Sequence, residues 1–167
     1  MQKLLRSAVV VALVAALLPM APSKADAQSA SISATAIVAG TLTVSAVRSL
    51  DFGTVIPGFN RTVLETDPTS GHFQLAGGVS AEVLLTFSAL PGTLLGPGAP
   101  MPVAFTATYN TSDAGGAGTG FVPSGGLTTR LDGATGLLHV YMGGTVTVVA
   151  GQTAGTYTET ITLDASY

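Results

Sequence analysis

The side chains best suited to act as a catalytic base or metal ligand are two histidines and a few aspartates. His72 follows the turn signal at residues 67–71 and is predicted to start a strand, and His139 lies between apolar neighbours at residues 137–142. No nucleophile motif or second base accompanies either histidine. The spacing therefore predicts solvent-exposed strand histidines, no catalytic residue and no enzyme activity.

Two other patterns are candidates for ligand binding. Asp113 and Asp132 offer carboxylates, which Ca²⁺ prefers, but their spacing matches no calcium loop, and aspartates are common in turns. The glycine-rich stretch 115–120 lacks the Gly-Lys-Ser/Thr ending of a phosphate loop, and no helical pattern follows it. We therefore predict no metal site and no cofactor.

The composition narrows the class of protein. The chain has 167 residues, a net charge of −3, 9% charged and 47% hydrophobic residues, and no cysteine. The apolar content argues against disorder, and the six basic residues argue against nucleic-acid binding. Without cysteine, a disulfide framework and a cysteine zinc site are excluded.

The N-terminal region has the pattern of a secretory signal peptide. Lys3 and Arg6 precede an apolar run that is short for a bilayer-spanning helix, and Ala25-Asp26-Ala27 matches a small-residue cleavage site. Residues 1–27 are therefore predicted to be removed, which implies secretion and no membrane insertion after cleavage.

Period-two alternation of apolar residues dominates the chain after residue 27, which is typical of strands. The first predicted strand spans residues 31–45, and the last spans residues 157–167 with Leu163 on its apolar face. Gly143-Gly144 is predicted to form a two-residue hairpin turn, and residues 110–126 a long surface loop. The pattern favours an all-β fold, a single antiparallel immunoglobulin-like β-sandwich over residues 28–167.

The first predicted strand has neither a charge nor a proline. Exposed strand edges normally carry such residues, which prevent pairing with other chains. This strand therefore either pairs within its own sheet or is offered to a neighbouring molecule by strand addition.

Two stretches carry a resemblance to known families: residues 50–55 (Leu-Asp-Phe-Gly-Thr-Val) and residues 154–167. Together they resemble the spore-coat-protein-U-like domain, which includes subunits of archaic chaperone–usher pili. The chain is still more similar to a related cysteine-free family of secreted bacterial proteins of unknown function. The likeness extends in order over the chain after residue 27, through short motifs.

The resemblance implies an immunoglobulin-like sandwich, a periplasmic or cell-surface location in a Gram-negative bacterium, and no enzyme activity. It also implies that residues 31–39 complete the sheet of a next subunit, and that residues 157–167 meet a periplasmic chaperone. The candidate residues for strand exchange are Ile32, Ala34, Ala36, Val38, Tyr157, Ile161, Leu163 and Tyr167. The chain differs from the pilins in lacking their cysteine pair and in the small side chains of Ala34 and Ala36.

Two functions from different classes follow. The first is a secreted structural protein, pilin-like or at the cell surface, that self-associates through β-strand addition. The second is a monomeric secreted binding module whose glycine-rich loops hold a glycan or protein ligand. The absence of tryptophan weakens the glycan version, because sugars commonly stack on aromatic faces.

Overall fold

A computed structural model describes residues 30–36 and 40–167 of the chain. The chain divides into two units, Met1–Thr35 and Ala36–Tyr167. Residues 30–35 of the first unit contain no strand, and the predicted signal peptide at residues 1–27 lies outside the described residues. The second unit is all-β, with two antiparallel sheets whose apolar faces share one core, so the predicted antiparallel β-sandwich is confirmed.

The larger sheet is built around β9 (Leu137–Val146). On one side of β9, β2 (Arg61–Val63) and β3 (Gly71–Ala76) follow each other along its length, and on the other side lies β6 (Met101–Asn110). The remaining strands pair at the two edges of this sheet. They are β1 (Thr43–Arg48) on β3, and β5 (Thr93–Leu94) and β7 (Thr119–Phe121) on β6.

The smaller sheet has β4 (Glu82–Ala89) at its centre, between β8 (Leu127–Arg130) and β10 (Thr162–Ser166). Within residues 40–167, β10 pairs with β4 alone and β1 pairs with β3 alone. The two strands come close to each other on one side of the sandwich. The unpaired edges of the two sheets, at β1 and β10, therefore lie on the same side of the sandwich, which we call the open side.

Alternation along the strands fills the core between the sheets. Leu75 and Val140 of the larger sheet and Leu85 of the smaller sheet are completely buried. Leu163 on β10 joins the same cluster, as the sequence pattern predicts. Each such side chain contributes about 1.5–3 kcal/mol through removal from water.

Gly143 and Gly144 lie inside β9, and the predicted hairpin turn is wrong. Their neighbours explain the glycines, because a Cβ atom at Gly143 would stand 2.6 Å from the carbonyl oxygen of Val63, and one at Gly144 would stand 2.7 Å from that of Ala104. β2 and β6 approach the backbone of β9 too closely for any side chain. A glycine pair marks close packing of strands here, which turn statistics do not distinguish from a turn.

Three other predicted boundaries differ from the structure. The closing strand, predicted over residues 157–167, spans only Thr162–Ser166. The first strand begins at Thr43, and the described residues 30–36 form no strand. The predicted loop at residues 110–126 contains β7 and a 3₁₀ turn, Pro123–Gly125. Short elements with few apolar residues give too weak an alternation to be detected from sequence.

Candidate functional site

A groove runs along the open side of the sandwich, between the chain that follows β1 and the chain that leads into β10. It consists of two hollows of about 820 Å³ and 260 Å³. Both hollows are lined by Ser49 and Leu50 on one wall and by Glu159 and Ile161 on the other, so they are continuous.

The floor of the groove is apolar. Met101, Val146 and Val148 form a second buried cluster beneath the larger hollow, and Phe73 and Met142 lie beneath the smaller one. These side chains belong to the larger sheet or to residues just after it. The groove is thus an uncovered part of the core between the two sheets.

The Asp-Phe-Gly motif at residues 51–53 shapes one wall of this groove. The carboxylate of Asp51 accepts a hydrogen bond from the backbone N–H of Gly53 at 2.7 Å, and the N–H of Asp51 donates to the carbonyl of Thr69 at 2.9 Å. The resulting turn packs Phe52 against the second buried cluster. The motif therefore has a local structural role that its sequence alone did not show.

The closing segment distributes its predicted strand-exchange residues between the groove and the core. Tyr157 and Ile161 line the groove, and Leu163 is buried in the main core. Tyr167 is half exposed, and its hydroxyl accepts a hydrogen bond from the backbone of Gly78.

The N-terminal candidates for strand exchange lie in the first unit or at the start of the second unit. Ile32 is 97% exposed, and Ala34 and Ala36 are exposed as well. Val38 lies outside the described residues. The exchange role of all these residues stays a prediction.

The two histidines form part of a second feature, on the face of the larger sheet that points away from the core. His72 and His139 are each only 5% exposed, so the prediction of solvated histidines is wrong. His72 stands opposite Tyr141 in the β3–β9 ladder, and Gln74 stands opposite His139. Alternation therefore places all four side chains on the same outer face.

Ring contacts order this cluster. The His72 and Tyr141 rings stack with 4.3 Å between centroids and 11° between planes. Nε2 of His72 and Nδ1 of His139 face each other at 3.1 Å, so one of the two carries a proton and donates it to the other. The hydroxyl of Tyr141 donates a hydrogen bond to the carboxylate of Asp113.

The loop after β6 brings Asp113 to the histidines. Thr108 donates a hydrogen bond to the carbonyl of Gly116 at 2.8 Å, and Asn110 donates to the carbonyl of Ala117 at 2.9 Å. Gly116 has φ of +88°, and a Cβ atom there would overlap the carbonyl of Glu65. The loop is thus folded back over the outer face, which buries the histidines beneath it.

The cluster shifts the acidity of three groups. Burial lowers the pKa of the His72 imidazole from its ordinary value of 6.5, because the charged form loses hydration. Burial, together with the hydrogen bond to Asp113, raises the pKa of Tyr141 to about 12. The same hydrogen bond from Tyr141 holds the pKa of Asp113 below its usual 3.8. His72 is therefore neutral and Asp113 is ionised near pH 7.

The other ligand candidates from the sequence have structural roles. The carboxylate of Asp132 accepts hydrogen bonds from the backbone N–H groups of Ala134 and Thr135 and from the Thr135 hydroxyl, so it stabilises its own turn. The glycine-rich stretch 115–120 leads into β7 rather than into a helix. The histidine cluster was not predicted from the sequence. The one signal was that His139 and Tyr141 are two positions apart in an alternating segment, which places them on the same face of a strand.

No protein-family model matches the chain, and no curated protein shows significant similarity to it. Among residues 30–36 and 40–167, no helix reaches the length and apolar character needed to cross a membrane.

Proposed function

We propose that the protein is a secreted, non-catalytic structural subunit that self-associates by β-strand addition, in the periplasm or at the surface of a Gram-negative cell. The observation that carries the proposal is the apolar groove between the two open sheet edges. The proposed occupant is the segment at residues 31–39 of a second copy.

The geometry of β1 supports a strand-shaped occupant. Ala46 stands opposite Phe73 in the β1–β3 ladder, so it points to the inner side of the sheet, yet it is exposed and lines the smaller hollow. An inward-facing strand residue is normally covered by the other sheet. The space beside Ala46 is where an added strand would lie.

The chemistry of the proposed donor matches the groove. Residues 31–39 carry no charge, and the apolar side chains of Ile32, Ala34, Ala36 and Val38 recur at every second position. Added in the groove, beside the chain at residues 159–161 that leads into β10, such a strand would form backbone hydrogen bonds and direct alternate side chains to the apolar floor. Ser33 and Thr35, the polar side chains between them, would face solvent, as would the apolar Ile37.

Matched variants of the acceptor test the proposal in the full chain. Ala46→Glu places a charge in the groove, whereas Ser45→Glu places it on the opposite face of the same strand. We expect oligomers of the unmodified chain and of Ser45→Glu by light scattering, and a strong loss of oligomers for Ala46→Glu.

Matched variants of the donor complete the test. Ile32→Asp should remove assembly, Ser33→Asp should retain it, and a peptide of residues 31–39 should bind the Ile32→Asp protein. A full chain that stays monomeric at high concentration and ignores the peptide would contradict strand addition. The groove would then be the ligand site of a monomeric binding module.

A further inference from the structure

Three side chains with metal-binding atoms converge on the outer face of the larger sheet. One nitrogen each from His72 and His139 and one carboxylate oxygen of Asp113 lie within 4.8 Å of one another. We propose that these residues bind a divalent transition-metal ion of the zinc class. This site is separate from the groove, and the inference does not depend on self-association.

The spacing of the two nitrogens favours a shared ion. Nε2 of His72 and Nδ1 of His139 lie 3.1 Å apart. In a tetrahedral site with Zn–N bonds of about 2.0–2.1 Å, two nitrogen ligands are about 3.3 Å apart. An ion can therefore lie between these two nitrogens once the donating imidazole carries its proton on its other ring nitrogen and both rings turn so that their lone pairs converge. The adjacent paired strands β3 and β9 hold the rings in place before binding.

Asp113 provides the third ligand and the route of entry. Hydrogen bonds from Thr108 and Asn110 of β6 hold the part of its loop that follows Asp113, while Asp113 itself is exposed. Tyr141 donates a hydrogen bond to the carboxylate, which is the arrangement that orients a ligating carboxylate in metal sites. Three protein ligands leave a fourth position for water.

The donor set determines the class of ion. Two imidazoles with one carboxylate suit Zn²⁺, Ni²⁺ or Cu²⁺, whereas Ca²⁺ and Mg²⁺ take oxygen ligands. The nearby cation Arg48 directs its guanidinium to the carbonyl oxygen and hydroxyl of Ser70, at 2.6 and 2.8 Å. The carboxylate of Asp113 therefore supplies the charge that faces the ion.

Calorimetric titration with Zn²⁺ tests the site in the full chain, prepared without a polyhistidine tag and freed of metal by a chelator. We expect saturable binding of one ion per chain. Asp113→Asn should weaken the affinity at least about tenfold, and Tyr141→Phe, which removes the orienting hydroxyl, about tenfold. Asp164→Asn, an exposed carboxylate change on β10, should leave it unchanged.

A second readout, the NMR signals of the histidine imidazoles, uses the unmodified chain. The chain has two histidines, so both sets of imidazole signals in a proton–nitrogen NMR spectrum should shift together with one equivalent of Zn²⁺. His72→Gln and His139→Gln should each abolish binding, and if either variant fails to fold, Asp113→Asn decides the question. The absence of saturable binding would overturn the proposal, as would an affinity that Asp113→Asn leaves unchanged.

Discussion

The backbone N–H of Gly78 donates a 2.9 Å hydrogen bond to the hydroxyl of Tyr167. Gly78 lies in the connection from β3 to β4, where the chain passes from one sheet to the other, and Tyr167 directly follows β10. A Cβ atom at the adjacent Gly77 would stand 2.5 Å from the same hydroxyl. The residue after the closing strand is therefore hydrogen-bonded to the connection between the sheets.

Tyr167→Phe tests the contribution of this hydrogen bond to stability. The substitution keeps the ring and removes the acceptor, so we expect a loss of about 0.5–1.5 kcal/mol in the free energy of unfolding, toward the low end because the bond is exposed. Urea unfolding measures it. An unchanged midpoint would mean that the bond contributes nothing to the folded protein in solution.

Leu163→Ala tests the register of β10. Leu163 is 5% exposed within the main core, and its truncation should cost about 2–5 kcal/mol because a cavity remains. Ser166→Ala on the exposed face of the same strand should change stability by less than about 0.5 kcal/mol. Equal unfolding midpoints for the two variants would show that the register is wrong.

Gly144→Ala tests the close approach of β6 to the C-terminal part of β9. The added methyl group would stand 2.7 Å from the carbonyl of Ala104, so we expect a loss of about 1–3 kcal/mol from overpacking. Gly92→Ala is the matched control, because nothing lies within 4 Å of its added Cβ atom. Thermal unfolding should separate the two variants, and a Gly144→Ala protein as stable as the control would contradict the packing described.

Acidification should destabilise the metal-free protein below about pH 6.5. Burial lowers the pKa of His72 from 6.5, so the unfolded chain binds a proton there that the folded chain does not. The stability present above pH 6.5 is lost as the pH falls toward the folded pKa and is constant below it. The groups facing His72 are Asp113, His139, Tyr141 and Arg48.

Urea unfolding between pH 8 and pH 5 in the presence of a chelator measures this dependence. His72→Gln should flatten the curve in this window. The lowered pKa of Asp113 affects stability only as the pH falls below about 3.8, so it does not contribute there. An equal slope in the unmodified chain and in His72→Gln would assign the acid sensitivity to other groups.

The sequence was sufficient for the fold class and for the core position of Leu163, because both depend on period-two alternation over several residues. It was not sufficient for His72 and His139. Alternation places them correctly on the polar side of their strands, but it does not show whether a loop covers that side. The cover depends on hydrogen bonds from Thr108 and Asn110 to a segment that composition alone describes as a flexible loop.

The groove was also beyond local sequence patterns. It arises because β1 and β10 are edge strands on the same side of the sandwich, which is a property of strand order. The residues that line it come from separate parts of the chain, such as Leu50, Met101 and Ile161. The one signal in the sequence was the first predicted strand, residues 31–45, which contains neither a charged residue nor a proline.

The position of β9 along the chain determines when the larger sheet can form during synthesis. Its three direct partners, β2, β3 and β6, all precede it, so none has its central neighbour until residues 137–146 have been made. Long-range pairing of this kind is slow, because the entropy of closing the intervening chain is lost first. Until then the apolar faces and edges of the earlier strands are uncovered, and aggregation competes with folding. The interval between synthesis of β6 and of β9 is the period of greatest risk for the nascent chain.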